Sequence, residues 1–133
     1  MSLAYFYYKK IRPNRWCLHY INEGKERQRI YEEATVIARE IEDIGLVCEG
    51  DIQDILNYLE ALKEIDSSFP INEDSFYKKV GAIDVIMHTY SNKVIGVKKY
   101  TESVVKNEEV LNLLEKLKHN SDELLDYSTY SID

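Results

Sequence analysis

Residues 73–105 read EDSFYKKVGAIDVIMHTYSNKVIGVKKYTESVV, and the fold class turns on this stretch. Phe76, Val80, Ile83, Met87, Tyr90, Val94, Val97, Thr101 and Val104 step alternately by four and three residues. Eight of these nine are apolar when tyrosine is counted. Such spacing lines one face of an α-helix. Gly81, Gly96 and the many β-branched residues weigh against a helix. The rival reading is a short helix over 73–80, capped by Asn72 and stopped by Gly81, followed by a second hairpin. Its strands would be Ile83 to Tyr90 and Val94 to Tyr100, joined at Ser91-Asn92-Lys93. Only Ile83, Val85 and Met87 alternate cleanly in that version. The balance tips to helix, with a break allowed at either glycine.

The segments on both sides of this stretch also read as helices. Ile30, Ala34, Ile37, Ala38, Ile41 and Ile44 recur at helical spacing, and Gly45 stands where a left-handed C-cap belongs. Ile52, Ile55, Leu56, Leu59 and Leu62 mark a second helix, opened by Gly50 and capped by Asp51, with Pro70 closing the connection. A short link makes these two helices antiparallel neighbours. The last helix runs from Glu108 to Lys118, capped by Asn107, with Val110, Leu111, Leu113, Leu114 and Leu117 inward. Ser121 to Tyr127 can add one more turn, and 128–133 should fray.

The N-terminus reads differently. Ala4 to Ile11 is rich in aromatic strand formers, Arg12-Pro13-Asn14-Arg15 is a turn, and Trp16 to Ile21 makes a second strand ending at Asn22-Glu23-Gly24. Lys25 to Tyr31 either adds a third strand or opens the first helix. The expected architecture is therefore α+β and mostly α. A β-hairpin over 1–24 packs on a mainly helical 26–133, all in one domain of 133 residues.

Charge is sorted along the chain. Residues 1–30 carry a net +5, 31–77 carry −11, 78–106 carry +4 and 107–133 carry −5, which gives the overall −7. Surfaces of separated sign suit docking onto charged partners. The aromatic set is dominated by eleven tyrosines, whose polar-tipped rings favour half-buried positions and interfaces. Two cysteines, Cys17 and Cys48, have no framework spacing, and no secretory leader or membrane-length apolar run is present. A cytoplasmic protein with free thiols, no cofactor and no membrane partner is expected.

No motif for catalysis stands out. Cys17 and His19 share one side of the expected strand, with Cys48 as a third candidate ligand, but the spacing is not that of a metal site. Glu115 and His119 form an i, i+4 pair, which reads more simply as a histidine near a helix C-terminus than as an acid–base pair. Gly45-Leu46-Val47-Cys48-Glu49-Gly50 has the spacing of half a phosphate loop. Asp51 and Ile52 then stand where lysine and serine or threonine are needed, and a carboxylate would repel phosphate. No Gly-x-Ser-x-Gly elbow occurs. An enzyme with a site assembled from distant residues stays as a third reading, without a reaction to assign.

Two binding readings follow. In the first, the acidic residues of 31–77 lie on two adjacent helices, and Glu33, Glu40, Asp43 and Asp54 form a face for a basic protein partner, as an inhibitor or regulatory adaptor would use it. In the second, Tyr8, Lys9, Lys10, Arg12, Arg15 and Trp16 interleave cations with rings on the hairpin. That mixture suits phosphates and unstacked bases, so nucleic acid is the alternative partner. The net negative charge favours the first. Self-association is compatible with either.

Overall fold

The computed structural model describes residues 23–68 and 70–128, and every regular element among them is helical. Four helices follow one another: α1 (Gly24–Ile44), α2 (Glu49–Ser67), α3 (Glu73–Val104) and α4 (Glu108–Ser128). Each packs extensively on two neighbours, in the closed order α1, α2, α3, α4 and back to α1. Short connections reverse the chain each time, so the arrangement is an up-down-up-down four-helix bundle. Along α1 and α2 the polarity is visible in single contacts: Arg27 at the start of α1 meets Asp66 at the end of α2.

The α+β expectation is corrected. No strand occurs among the described residues, and the expected hairpin over 1–24 falls almost wholly outside them. Gly24 and Lys25 already belong to α1, so the option of a third strand at 25–31 is also excluded. The deciding stretch 73–105 is one continuous helix, and the second-hairpin reading fails. Phe76, Ile83, Met87, Tyr90, Val94, Val97 and Thr101 are buried along its inner face, as the alternating step requires. Burial of that stripe outweighs the cost of Gly81 and Gly96, roughly 1 kcal/mol each in a helix interior.

The helix ends follow local chemistry. Gly45 adopts φ 78°, a left-handed backbone that favours glycine, and its N–H donates to the Ile41 carbonyl at 3.3 Å. Asn72 accepts from the Ser75 N–H at 2.8 Å to open α3, and Asn107 accepts from the Val110 N–H at 3.0 Å to open α4. One boundary differs from expectation. Helix α2 starts at Glu49, so Asp51 sits in its first turn instead of capping it. Helix α4 takes up the further stretch through Tyr127 and ends at Ser128, because Leu124 extends the buried stripe of Leu114 and Leu117.

One apolar core runs through the bundle, from Ile30, Ala34, Ala38 and Ile41 of α1 to Leu113, Leu114, Leu117 and Leu124 of α4. The alanines keep α1 close to its neighbours. At the end where α1 begins and α2 ends, the stripe is charged. Arg27 donates from Nε to Asp66 Oδ2 at 2.8 Å and from Nη2 to Oδ1 at 3.0 Å, and the Tyr31 hydroxyl donates to Oδ2 at 2.7 Å. Arg27 and Asp66 are both buried. The Arg27 guanidinium also lies 5.6 Å from the Tyr127 ring centroid. Nearby, the buried Lys79 ammonium donates to the Ser68 carbonyl at 3.1 Å.

Candidate functional site: the acidic face of α1 and α4

A helix turns about 100° per residue, so Glu33, Val36, Glu40 and Asp43 share an arc of about 80° on α1. All four are exposed, and Val36 in their midst keeps 58% of its surface accessible. Beside this arc, Ile37 is half-buried where α1 meets α4. There a shallow groove of about 470 Å³ is lined by Glu33 and Ile37 from α1 and by Glu115, Lys116, His119, Asn120 and Glu123 from α4. The groove has three carboxylates against one lysine. Ile37 is its one apolar lining residue, set among the acidic side chains.

Local ion pairs moderate the field. Arg29 bridges Glu26 and Glu33, and Arg39 pairs with Glu42 at 3.3 Å. The Arg29 guanidinium holds the Glu26 carboxyl below the ordinary carboxylate range. Glu32, Glu40 and Asp43 have no ion pair among the described residues, and they set the sign of this face. His119 Nε2 lies 3.1 Å from Glu123 Oε1, one turn further on, while Glu115 reaches Lys98 at 3.0 Å. The Glu115–His119 acid–base reading therefore has no contact to rest on. Nor does His119 sit near a helix terminus, because α4 runs on to Ser128.

Of the four acidic site residues expected from the sequence, the structure brings Glu33, Glu40 and Asp43 onto one face and separates Asp54. Lys93 of α3 pairs with Asp51 at 2.8 Å and with Asp54 at 3.2 Å, and both carboxylates push the lysine's pKa upward. Asp66 is likewise internal. Three acidic residues of α2, Asp51, Asp54 and Asp66, thus join it to its neighbours, while Glu49, Glu60 and Glu64 are exposed on α2 without an ion pair among the described residues. The second basic block is spent in a similar way. Lys78 pairs with Asp74, Lys93 with α2, and Lys98 with Glu102 and Glu115, while Lys79 is buried. Lys99 and Lys106 are its cations without an ion pair among the described residues.

The basic aromatic set Tyr8, Lys9, Lys10, Arg12, Arg15 and Trp16 lies outside the described residues, as do Cys17 and His19. Cys48 is exposed as a free thiol on the α1–α2 connection. No group of three or more potential metal ligands converges among the described residues. The cavity at that connection is lined by Glu42 and Glu49 with Leu46, Val47 and Ile52, and it presents no cation to a phosphate. Among the described tyrosines, Tyr31 and Tyr90 are buried, Tyr58, Tyr77 and Tyr127 are half-buried, and Tyr100 alone is exposed. Tyr100 belongs to α3 and stands apart from the acidic face.

The buried Arg27–Asp66–Tyr31 cluster was not singled out by sequence reasoning, although a signal was present. Extending the Ile30–Ala34 stripe one turn back lands on Arg27, and extending Leu59–Leu62 one turn forward lands on Asp66. Two opposite charges, each continuing an apolar stripe across one hairpin of helices, mark a buried pair. No protein-family model matches the chain, and no curated protein or solved structure is significantly similar to it. No helix of the described residues is long and apolar enough to cross a membrane.

Proposed function

We propose that the chain is a small, non-catalytic cytoplasmic interaction module that docks a basic protein segment on the acidic face of α1 and the adjoining α1–α4 groove. The observation that supports this reading is the arc of Glu33, Glu40 and Asp43 around the exposed Val36. Charge of one sign steers a partner of the other sign, and a central apolar contact excludes water from the docked pair. An inhibitor or a regulatory adaptor works in this way.

The test is affinity capture from the source cells with the wild-type chain and with Glu33→Lys, Glu40→Lys and Asp43→Lys combined. A partner with a basic surface should bind the wild type, and the triple reversal should weaken it tenfold or more. Raising salt should have the same effect, because exposed charges are screened. A partner held equally by both forms would overturn the assignment of this face. The alternative, nucleic-acid binding through Tyr8, Lys9, Lys10, Arg12, Arg15 and Trp16, is checked in parallel. A mobility shift with single-stranded and duplex oligonucleotides at low salt, abolished by changing Lys9, Lys10, Arg12 and Arg15 to alanine, would replace the protein-partner reading.

A further inference from the structure

Helix α3 is the longest element, and its outward face combines features that the bundle does not use. Gly81 and Gly96 lie in the helix interior with right-handed backbones, and an added Cβ at either would meet no atom within 4 Å. Each destabilises the helix relative to alanine. Neither admits a close neighbour within the bundle. On the same outward face, Val85 and Tyr100 are 65% and 67% exposed. Thr89 and Asn92 are exposed between them. These six positions lie within an arc of about 100° and extend over about 28 Å of helix.

Their order is self-complementary. Taking the midpoint between Tyr90 and Ser91 as a centre, Gly81 is as far from it as Tyr100, Val85 as far as Gly96, and Thr89 as far as Asn92. A second copy of α3 laid antiparallel across this centre therefore sets each large side chain over a glycine of its partner, twice over. That is the residue pairing of an isologous two-fold contact. Charge agrees with shape. Lys99, without an ion pair among the described residues, falls within about 3 Å along the axis of the level of Asp84 in the second copy. Asp84 has no lysine or arginine ion pair among the described residues, its neighbour His88 lies 3.8 Å away, and its side chain is 42% exposed.

We propose that the outward face of α3 is a homodimer interface, in which two copies of the chain pack α3 against α3 antiparallel, with Tyr100 and Val85 seated over Gly81 and Gly96. This proposal is independent of the acidic-face reading, because α3 lies across the bundle from α1 in the ring order. Glycines allow the helix backbones to approach closely, and the two tyrosines supply the principal buried area.

Sedimentation equilibrium of the full chain tests the contact. The weight-average mass should rise with concentration from 15.6 kDa towards twice that value. Val85→Asp with Tyr100→Asp should weaken association at least tenfold while leaving the circular-dichroism melt of the monomer in place. Gly81→Leu and Gly96→Leu discriminate further: each should raise the monomer's thermal stability and abolish association, opposite signs that a purely structural role does not produce. Asp84→Lys and Lys99→Glu should each weaken the dimer, and the two together should restore it. A chain that stays monomeric at several hundred micromolar overturns the proposal. So does a dimer that is indifferent to the leucine substitutions.

Discussion

The Tyr90 ring fills the centre of the bundle, yet its hydroxyl is fully buried and makes no hydrogen bond. Burial raises its pKa, so the phenol stays neutral at any ordinary pH. A buried donor left unsatisfied costs about 1–3 kcal/mol. Tyr90→Phe keeps the ring and removes that cost, and it should stabilise the fold by about 1 kcal/mol in urea titration. The opposite holds for the charged end of the core. Arg27→Met leaves Asp66 buried with only the Tyr31 hydroxyl of these two donors, and it should lose about 3–5 kcal/mol. Lys79 gives a pH signature. Burial, the largest influence, and the nearby Arg27 lower its pKa from 10.5 to about 8, and Asp66 partly opposes them. The unfolded chain therefore holds this proton more tightly than the folded one. Between about pH 8 and 10.5, stability should rise with pH through Lys79, and the contribution is lost below pH 8. Urea midpoints across that range for wild type and Lys79→Met isolate the term, since other groups are common to both.

At the scale of the elements, what could be read from sequence was what is local. Gly45, Asn72 and Asn107 act on their own turns, and all three terminate or open helices as expected. The stripes of α1, α2 and α4 follow from spacing alone. Helix α3 was ambiguous because Gly81 and Gly96 imitate strand punctuation, while the inward stripe that overrides them gains its energy only from neighbours. Those glycines give an element-scale prediction. Gly81→Ala and Gly96→Ala have open space and compatible backbone, so each should stabilise the monomer by about 1 kcal/mol, measured by thermal unfolding at low micromolar concentration. Charge was the least legible property. Asp54 and Asp66 count as acidic in sequence, but one is held by Lys93 and the other by Arg27 from 39 residues away. Their roles depend on which helices become neighbours, which no local pattern encodes.

At the scale of the whole molecule, the bundle separates two kinds of surface. On the α1 arc Glu33 is paired with Arg29 while Glu40 and Asp43 have no ion pair among the described residues, whereas the α2–α3 seam is stitched by Lys93 across Asp51 and Asp54. These ion pairs are partly exposed, and isolated pairs of this type contribute about 0–1 kcal/mol. Their removal should therefore alter stability little. Lys93→Met is expected to shift the urea midpoint only slightly while making the α2 side more negative. If docking depends on the α1 arc, partner affinity should be nearly unchanged in Lys93→Met and sharply reduced in Glu40→Lys. Titration of the captured partner against both variants distinguishes a local recognition surface from a response to net charge.

The closed order of the helices also sets valency. Helices α1 and α3 occupy opposite corners of the ring, so a copy bound on α3 leaves the acidic arc untouched. In such a pair the two arcs point away from each other across two bundles, roughly 40 Å apart at about 10 Å per helix. One compact ligand does not span them. The pair is instead a bridge that holds two ligands facing outward, and its gain in avidity comes only from targets that are themselves arrayed.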